Sequence, residues 1–285
     1  MQPIRTAFSA VSLLALVAAA PTLAADASLS GAVKSGAGEK LSGVTVSAKP
    51  VGGTIATTVF TDENGAFFFP PLPEGKYNVW AQALGFEHVR GEMDVTGKAS
   101  RDFTLGAITD REALIKQMPG DLILAGLPES TPDEARMKRI VRNNCTSCHS
   151  PAYILQHRFD EAGWNAIINT MKNVNVYGIY RPTGGEFNEV LDHHHAELAA
   201  YLARTRGPGE GAFKVTSRPR PSGEAARVVY REYDVPRNPN LVLPASNPTN
   251  DGSNWSLGTT SRVGSLPHDA AADEDGNLWF AAVTP

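Results

Sequence analysis

The stretch Thr131–His149, TPDEARMKRIVRNNCTSCH, contains the chain's only two cysteines and closes on a histidine. Its opening is a capping box, with Thr131 at the N-cap, Pro132 in the first turn and Glu134 at the third helical position. Met137, Ile140 and Val141 then recur on one helical face. The spacing predicts a capped helix that runs straight into Cys145-Thr146-Ser147-Cys148-His149. Three readings of that pentad compete. A disulfide from Cys145 to Cys148 would close a very short loop and remove little chain entropy. A dithiol redox pair uses this spacing but expects a βαβ pattern around it. Covalent haem attachment uses both thiols on the porphyrin vinyl groups and the adjacent histidine on the iron.

Working outward, the compartment bears on this choice. Residues 1–24 read as a secretory signal peptide. Arg5 makes a positive start, Ala7–Ala20 is mostly apolar, and Thr22-Leu23-Ala24 offers small residues for cleavage. The apolar run is short for a membrane span and has no stop-transfer flank, although an uncleaved anchor is the alternative. The expected product is periplasmic or secreted, with no membrane span after signal cleavage. That compartment suits covalent haem and suits a free reactive dithiol poorly. The formal net charge is −4, with no basic run, which argues against a nucleic-acid partner.

Residues 25–107 alternate like a β protein. Leu41-Ser42-Gly43-Val44-Thr45-Val46-Ser47-Ala48 and Lys76-Tyr77-Asn78-Val79-Trp80-Ala81 have period two. Turn signals separate them at Asp62–Gly65, Pro70–Gly75 and Leu84–Phe86. Closely spaced short strands predict a sandwich. The order Gly-x-Val-x-Val, Thr-Asp-x-x-Gly-x-Phe, Leu-x-x-Gly-x-Tyr and Gly-Phe resembles the carboxypeptidase regulatory-like (transthyretin-like) domain. The resemblance implies a module without chemistry of its own, a spacer or docking unit. Glycan binding at this sandwich is the other role the fold implies.

Residues 108–130 read as a linker and 131–207 as a helical unit. Trp164, Ile167, Ile168 and Met171 share a helix face, and a Gly- and Tyr-bearing loop follows. A last helix carries Phe187, Val190, Leu191, Leu198, Tyr201 and Leu202 and stops at Gly207-Pro208-Gly209. Three helices with CTSCH after the first resemble a small cytochrome c domain. The likeness is strongest to domains of multi-domain periplasmic proteins in which the motif is followed by an Arg, a Trp and a Met, here Arg158, Trp164 and Met171. It implies one covalent haem c, with thioether links to Cys145 and Cys148, His149 as proximal iron ligand and Met171 as distal ligand. It further implies Trp164 and Tyr201 packing on the haem and Arg158 at a propionate. The departure is that 173–185, the loop where such a methionine often sits, contains none. His157, His194 and His195 are therefore rival distal ligands, while three adjacent histidines cannot all face one iron from a helix.

Residues 208–228, rich in Pro, Arg, Ser and Gly, read as a second linker. Residues 229–285 contain Pro267-His268-Asp269 and Asp273-x-x-Gly276-Asn277-x-Trp279-Phe280. These resemble one blade of the streptogramin (virginiamycin B) lyase propellers. One blade cannot close a ring, so a truncated product or a fragment of a longer protein is expected. No role is assigned to His268 or Asp269. The expected architecture is multi-domain: an all-β sandwich, an all-α cytochrome c domain and an incomplete β-propeller segment. The expected function is single-electron transfer with an unidentified redox partner protein. Its rivals are a haem relay attached to a propeller-borne lyase or oxidoreductase, and a glycan-binding module with accessory haem.

Overall fold

The computed structural model describes residues 26–146, 150–172, 189–209, 211–234, 252–257 and 267–282. Strands β1 (Asp26–Ser35), β2 (Thr45–Pro50), β3 (Ile55–Phe60), β4 (Ala66–Phe68), β5 (Leu72–Pro73), β6 (Gly75–Gln82), β7 (Val89–Val95), β8 (Lys98–Ser100) and β9 (Phe103–Leu105) build the N-terminal sandwich. In one sheet β1 pairs antiparallel with β4 and β5 and parallel with β8 and β9. The other runs β3-β2-β6-β7, antiparallel throughout.

The period-two pattern puts one row of each strand inside. Leu29 and Val33 of β1 meet Val46, Val59, Val79, Phe67 and Phe103 in a dry core. Gly31 lies on the same inward row. A Cβ there would stand 1.9 Å from the Arg101 carbonyl oxygen, so only glycine permits this approach. The Asp62–Gly65 turn is closed by its own aspartate: Asp62 Oδ1 accepts from the Asn64 and Ala66 N–H groups at 2.8 Å each. Gly65 sits there at φ +74°. Leu72 and Tyr77 of the Leu-x-x-Gly-x-Tyr pattern are both buried, and the Tyr77 hydroxyl donates to the Pro73 carbonyl at 2.8 Å.

The helical part comprises α1 (Arg111–Gln117), α2 (Gly120–Ala125), α3 (Pro132–Ile140), α4 (Pro151–Leu155), α5 (Glu161–Lys172), α6 (Glu189–His193) and α7 (His195–Arg206). Helix α7 packs on α3 and α5. The expected N-cap forms, with Thr131 Oγ1 accepting from Glu134 N–H at 3.2 Å, but Glu134 Oε2 reaches back one residue further than a capping box does and accepts from Ser130 N–H at 2.9 Å.

Both expected linkers prove to be packed structure. Residues 108–130 fold into α1 and α2 and bury Ile115, Met118, Ile123 and Leu127 in the helical core. Gln117 ties this unit to the sandwich, accepting from Gly85 N–H at 3.0 Å and donating to the Phe86 carbonyl at 2.9 Å. In 208–228, Phe213 is buried beneath the Arg206 guanidinium, and Arg218 pairs with Asp121. A side chain at Gly43 would meet the Pro221 carbonyl, so this segment also touches the sandwich.

The segment expected to open a propeller begins differently. Its first strand, β10 (Tyr230–Tyr233), adds antiparallel to β3 and becomes the edge of the sandwich's second sheet. Lys49 holds Asp234 at 2.6 Å at the end of this ladder. Residues 252–257 also lie on the sandwich, where Gln82 donates to the Gly252 carbonyl at 3.0 Å and Arg90 to Ser253 Oγ at 2.8 Å. Among the described residues of this segment, β11 (Pro267–Ala272) and β12 (Leu278–Ala282) form a separate hairpin.

Candidate functional site

Helix α3 does not stop at Ile140. The chain continues through one π turn, Val141–Cys145. Such single wide turns concentrate at functional sites. The turn places Cys145 against the helical core, where burial pushes its thiol up to about 11. A thiol held neutral in this way is a poor thiolate nucleophile. Thr146 Oγ1 donates back to the Arg142 carbonyl at 2.5 Å and ends the turn. Cys148 and His149 lie outside the described residues, and the chain resumes at Ser150 to open α4.

The structure separates the other candidates. Of the α5 stripe, Trp164 and Ile168 are buried and Ile167 partly so, whereas Met171 is 41% exposed in the last turn. Trp164 is 1% exposed, packs edge-on against Phe159 at 5.4 Å, and its indole N–H has no hydrogen-bond partner among the described residues. His157 stacks on Phe159 at 5.2 Å. His195 uses both ring nitrogens: Nδ1 lies 3.3 Å from Lys172 Nζ, and Nε2 lies 3.1 Å from the Asn165 carbonyl oxygen. His194 Nδ1 contacts Glu197 Oε2 at 3.0 Å, and this bond holds the Glu197 carboxyl below its ordinary range.

Arg158 and Tyr201 have structural duties that their sequence positions do not announce. Arg158 donates to the carbonyls of Gly207, Pro208 and Gly209 at 3.0, 2.5 and 2.5 Å, closing the end of α7. The Tyr201 hydroxyl donates to the Pro128 carbonyl at 2.8 Å, and burial raises its pKa strongly. Among the described residues, no group of three His, Cys, Asp or Glu side chains could hold a metal ion. No helix among them is long and apolar enough to cross a membrane.

In the β11–β12 hairpin, Asp273 organises the turn. Its Oδ1 accepts from Asp275 and Asn277 N–H, and its Oδ2 from Asn277 Nδ2 and Trp279 Nε1 at 2.9 and 2.8 Å. These bonds tie Asp273, Asn277 and Trp279 into one turn, in which Gly276 sits at φ +80°. His268 and Asp269 fall in β11, with their side chains outside the described set.

Sequence reasoning missed a groove of about 350 Å³ on the sandwich, walled by Phe60, Phe68 and Val228–Val229 with Glu63 and Arg227 among its lining. The available signal was Phe67-Phe68-Phe69: in a strand the middle ring must face away from the core.

Residues 28–106 match the family model of the carboxypeptidase regulatory-like domain. The matched span is the nine-stranded sandwich without β10. No curated protein matches the chain. Among solved structures, it is similar to the Bacillus anthracis TIE protein, at 18% identity and TM-score 0.26, over 29% of this chain and 17% of that one. It is also similar to the dioxygenase domain of a dioxygenase carbohydrate-binding protein fusion from a Streptomyces species, at 16% identity and TM-score 0.26, over 32% and 86% of the two chains. A third is a cohesin–X-dockerin complex from Acetivibrio cellulolyticus, at 20% identity and TM-score 0.24, over 28% and 58%.

Proposed function

We propose that this chain is an exported c-type cytochrome that carries one covalent haem on its helical part, with the regulatory-like sandwich as a non-catalytic docking unit. The observation that carries the reading is the placement of Cys145. A capped helix and a π turn deliver the first thiol of CTSCH to the helical core, neutral and partly buried, in a chain whose start reads as an export signal. The thiol's raised pKa disfavours the dithiol redox reading, which needs a stabilised thiolate. The residues fit a haem. Cys145 and Cys148 would hold it through thioethers, and His149 and Met171 would ligate the iron. Trp164 contributes to the same core a buried donor with no partner among the described residues. When bound, haem c supplies a reversible one-electron ferric–ferrous couple. The protein's own part is to exclude water with the α3, α5 and α7 faces and to fix the orientation of the attached group.

The test is a haem stain of the exported full-length chain on a denaturing gel. Stain at the mature mass is expected, and Cys148→Ala should remove it. An unstained band of correct mass rejects the reading. The Asp273-centred hairpin favours a second reading, in which the haem unit relays electrons to a propeller-borne lyase or oxidoreductase.

A further inference from the structure

We propose that the groove between β4 and residues 226–229 is a strand-accepting site for an extended peptide of a partner protein, with an apolar residue as its anchor. The inference is independent of the haem reading. It rests on an open backbone edge and an exposed apolar surface that occur together.

The edge comes first. Ala66 turns away from β1: its N–H donates to Asp62 Oδ1 at 2.8 Å, and its carbonyl accepts from Asp62 N–H at 2.8 Å. Phe69 turns toward β1, donating to the Leu29 carbonyl at 2.9 Å. Alternation along the strand then directs the N–H and C=O of Phe68, between them, off the free edge of β4. In the sheet order β4 is terminal, so no described strand receives this pair of groups. An incoming residue in extended conformation can exchange both hydrogen bonds with Phe68.

The surface lies beside it. Phe68 is 70% exposed, Val228 42%, Val229 46% and Tyr230 49%. Phe60 joins them, with the Tyr230 ring edge-on at 5.8 Å. Contiguous exposed apolar surface of this kind marks interaction sites. Rigid rings on strands lose little conformational entropy when covered. Glu63 and Arg227 line the same groove and supply one charge of each sign. The fitting partner is thus an extended segment with an apolar or aromatic residue flanked by one basic and one acidic residue. The neighbouring edge of the sandwich's other sheet already shows the mode in cis, where β10 adds to β3.

The experiment titrates the full chain with the blocked pentapeptide Lys-Val-Phe-Val-Glu by calorimetry and backbone amide NMR. Saturable binding is expected, with amide shifts at Phe68 and at Val228–Val229. Because Phe68 is exposed, Phe68→Ala should fold normally and weaken binding at least tenfold. The same peptide N-methylated at its central residue keeps every side chain and loses one main-chain donor, and it too should bind at least tenfold more weakly. Absence of saturable binding overturns the proposal. Equal binding of the N-methylated peptide overturns strand pairing, and shifts confined to other surfaces overturn the location. If a neutral oligosaccharide such as cellotetraose moves these amides and the peptide does not, the site belongs to a different class of ligand and the proposal fails.

Discussion

Arg206 and Glu112 form a two-pronged ion pair, Nη1 to Oε1 at 3.2 Å and Nη2 to Oε2 at 2.9 Å, that fastens the last helix to the first. The Arg206 side chain is 2% exposed and also donates through Nε to the Leu155 carbonyl at 2.6 Å. Glu112 further lies 3.8 Å from Arg158. Three segments therefore meet on one carboxylate.

Removing that carboxylate leaves a buried guanidinium without its counter-charge. Glu112→Ala should cost about 3 kcal/mol in chemical denaturation. Arg206 holds the Glu112 carboxyl below its ordinary range, mainly through the hydrogen bond. The folded state thus binds this proton more weakly than the unfolded chain does. The stabilisation is complete above the unfolded glutamate value of about 4.3 and is lost as pH falls through the depressed folded value. Glu112→Gln should flatten that acid limb. An unchanged limb would show that other carboxylates set it.

Phe213 provides the next test, because residues 208–228 read as a flexible linker in sequence and are packed in the structure. Its ring is 1% exposed and lies under Arg206, whose guanidinium carbon is 4.9 Å from the ring centroid. Phe213→Ala should destabilise by about 3–5 kcal/mol. Limited trypsin digestion should spare Lys214 and cut at Arg227, in the exposed turn Gly223–Arg227. First cleavage at Lys214 would show that the packing does not persist in solution.

The sandwich was legible because its signals are local and redundant. Val44, Val46 and Ala48 repeat with period two, Asp62 closes its own turn, and Tyr77 reaches only four residues back to Pro73. The Thr131 cap was legible for the same reason, although Glu134 reaches Ser130 rather than Thr131. The packing of 108–130 was not legible. Helices of six and seven residues carry too few turns for periodicity, and Ile123 and Leu127 look scattered until α4 and Phe213 cover them. Residues 229–285 read as the start of a propeller, and the docking of β10 on the sandwich was not legible, since its pairing with β3 spans more than 170 residues. At the candidate site, Cys145 was read from spacing alone. The engagement of Arg158 with the α7 end is a matter of carbonyls brought together by the fold, which no motif records.

Met171 carries the last prediction, because the distal ligand is where the sequence is most divided. His195 has both ring nitrogens engaged, and His194 has one held by Glu197. Met171 instead ends α5 with its side chain 41% exposed, beside the start of residues 173–188. If its thioether ligates the iron, the ferric holoprotein should show the thioether–iron charge-transfer band at the red end of the visible spectrum. Met171→Ala should abolish that band and lower the midpoint potential, because a soft ligand that favours ferrous iron is lost. The helix should persist, since alanine is the best helix former and the side chain is not in the dry core. His195→Ala should leave the band in place while loosening Lys172 and the C-terminal turn of α5. A holoprotein without the band, or a potential unmoved by Met171→Ala, would reduce Met171 to a surface residue and transfer the search to His157.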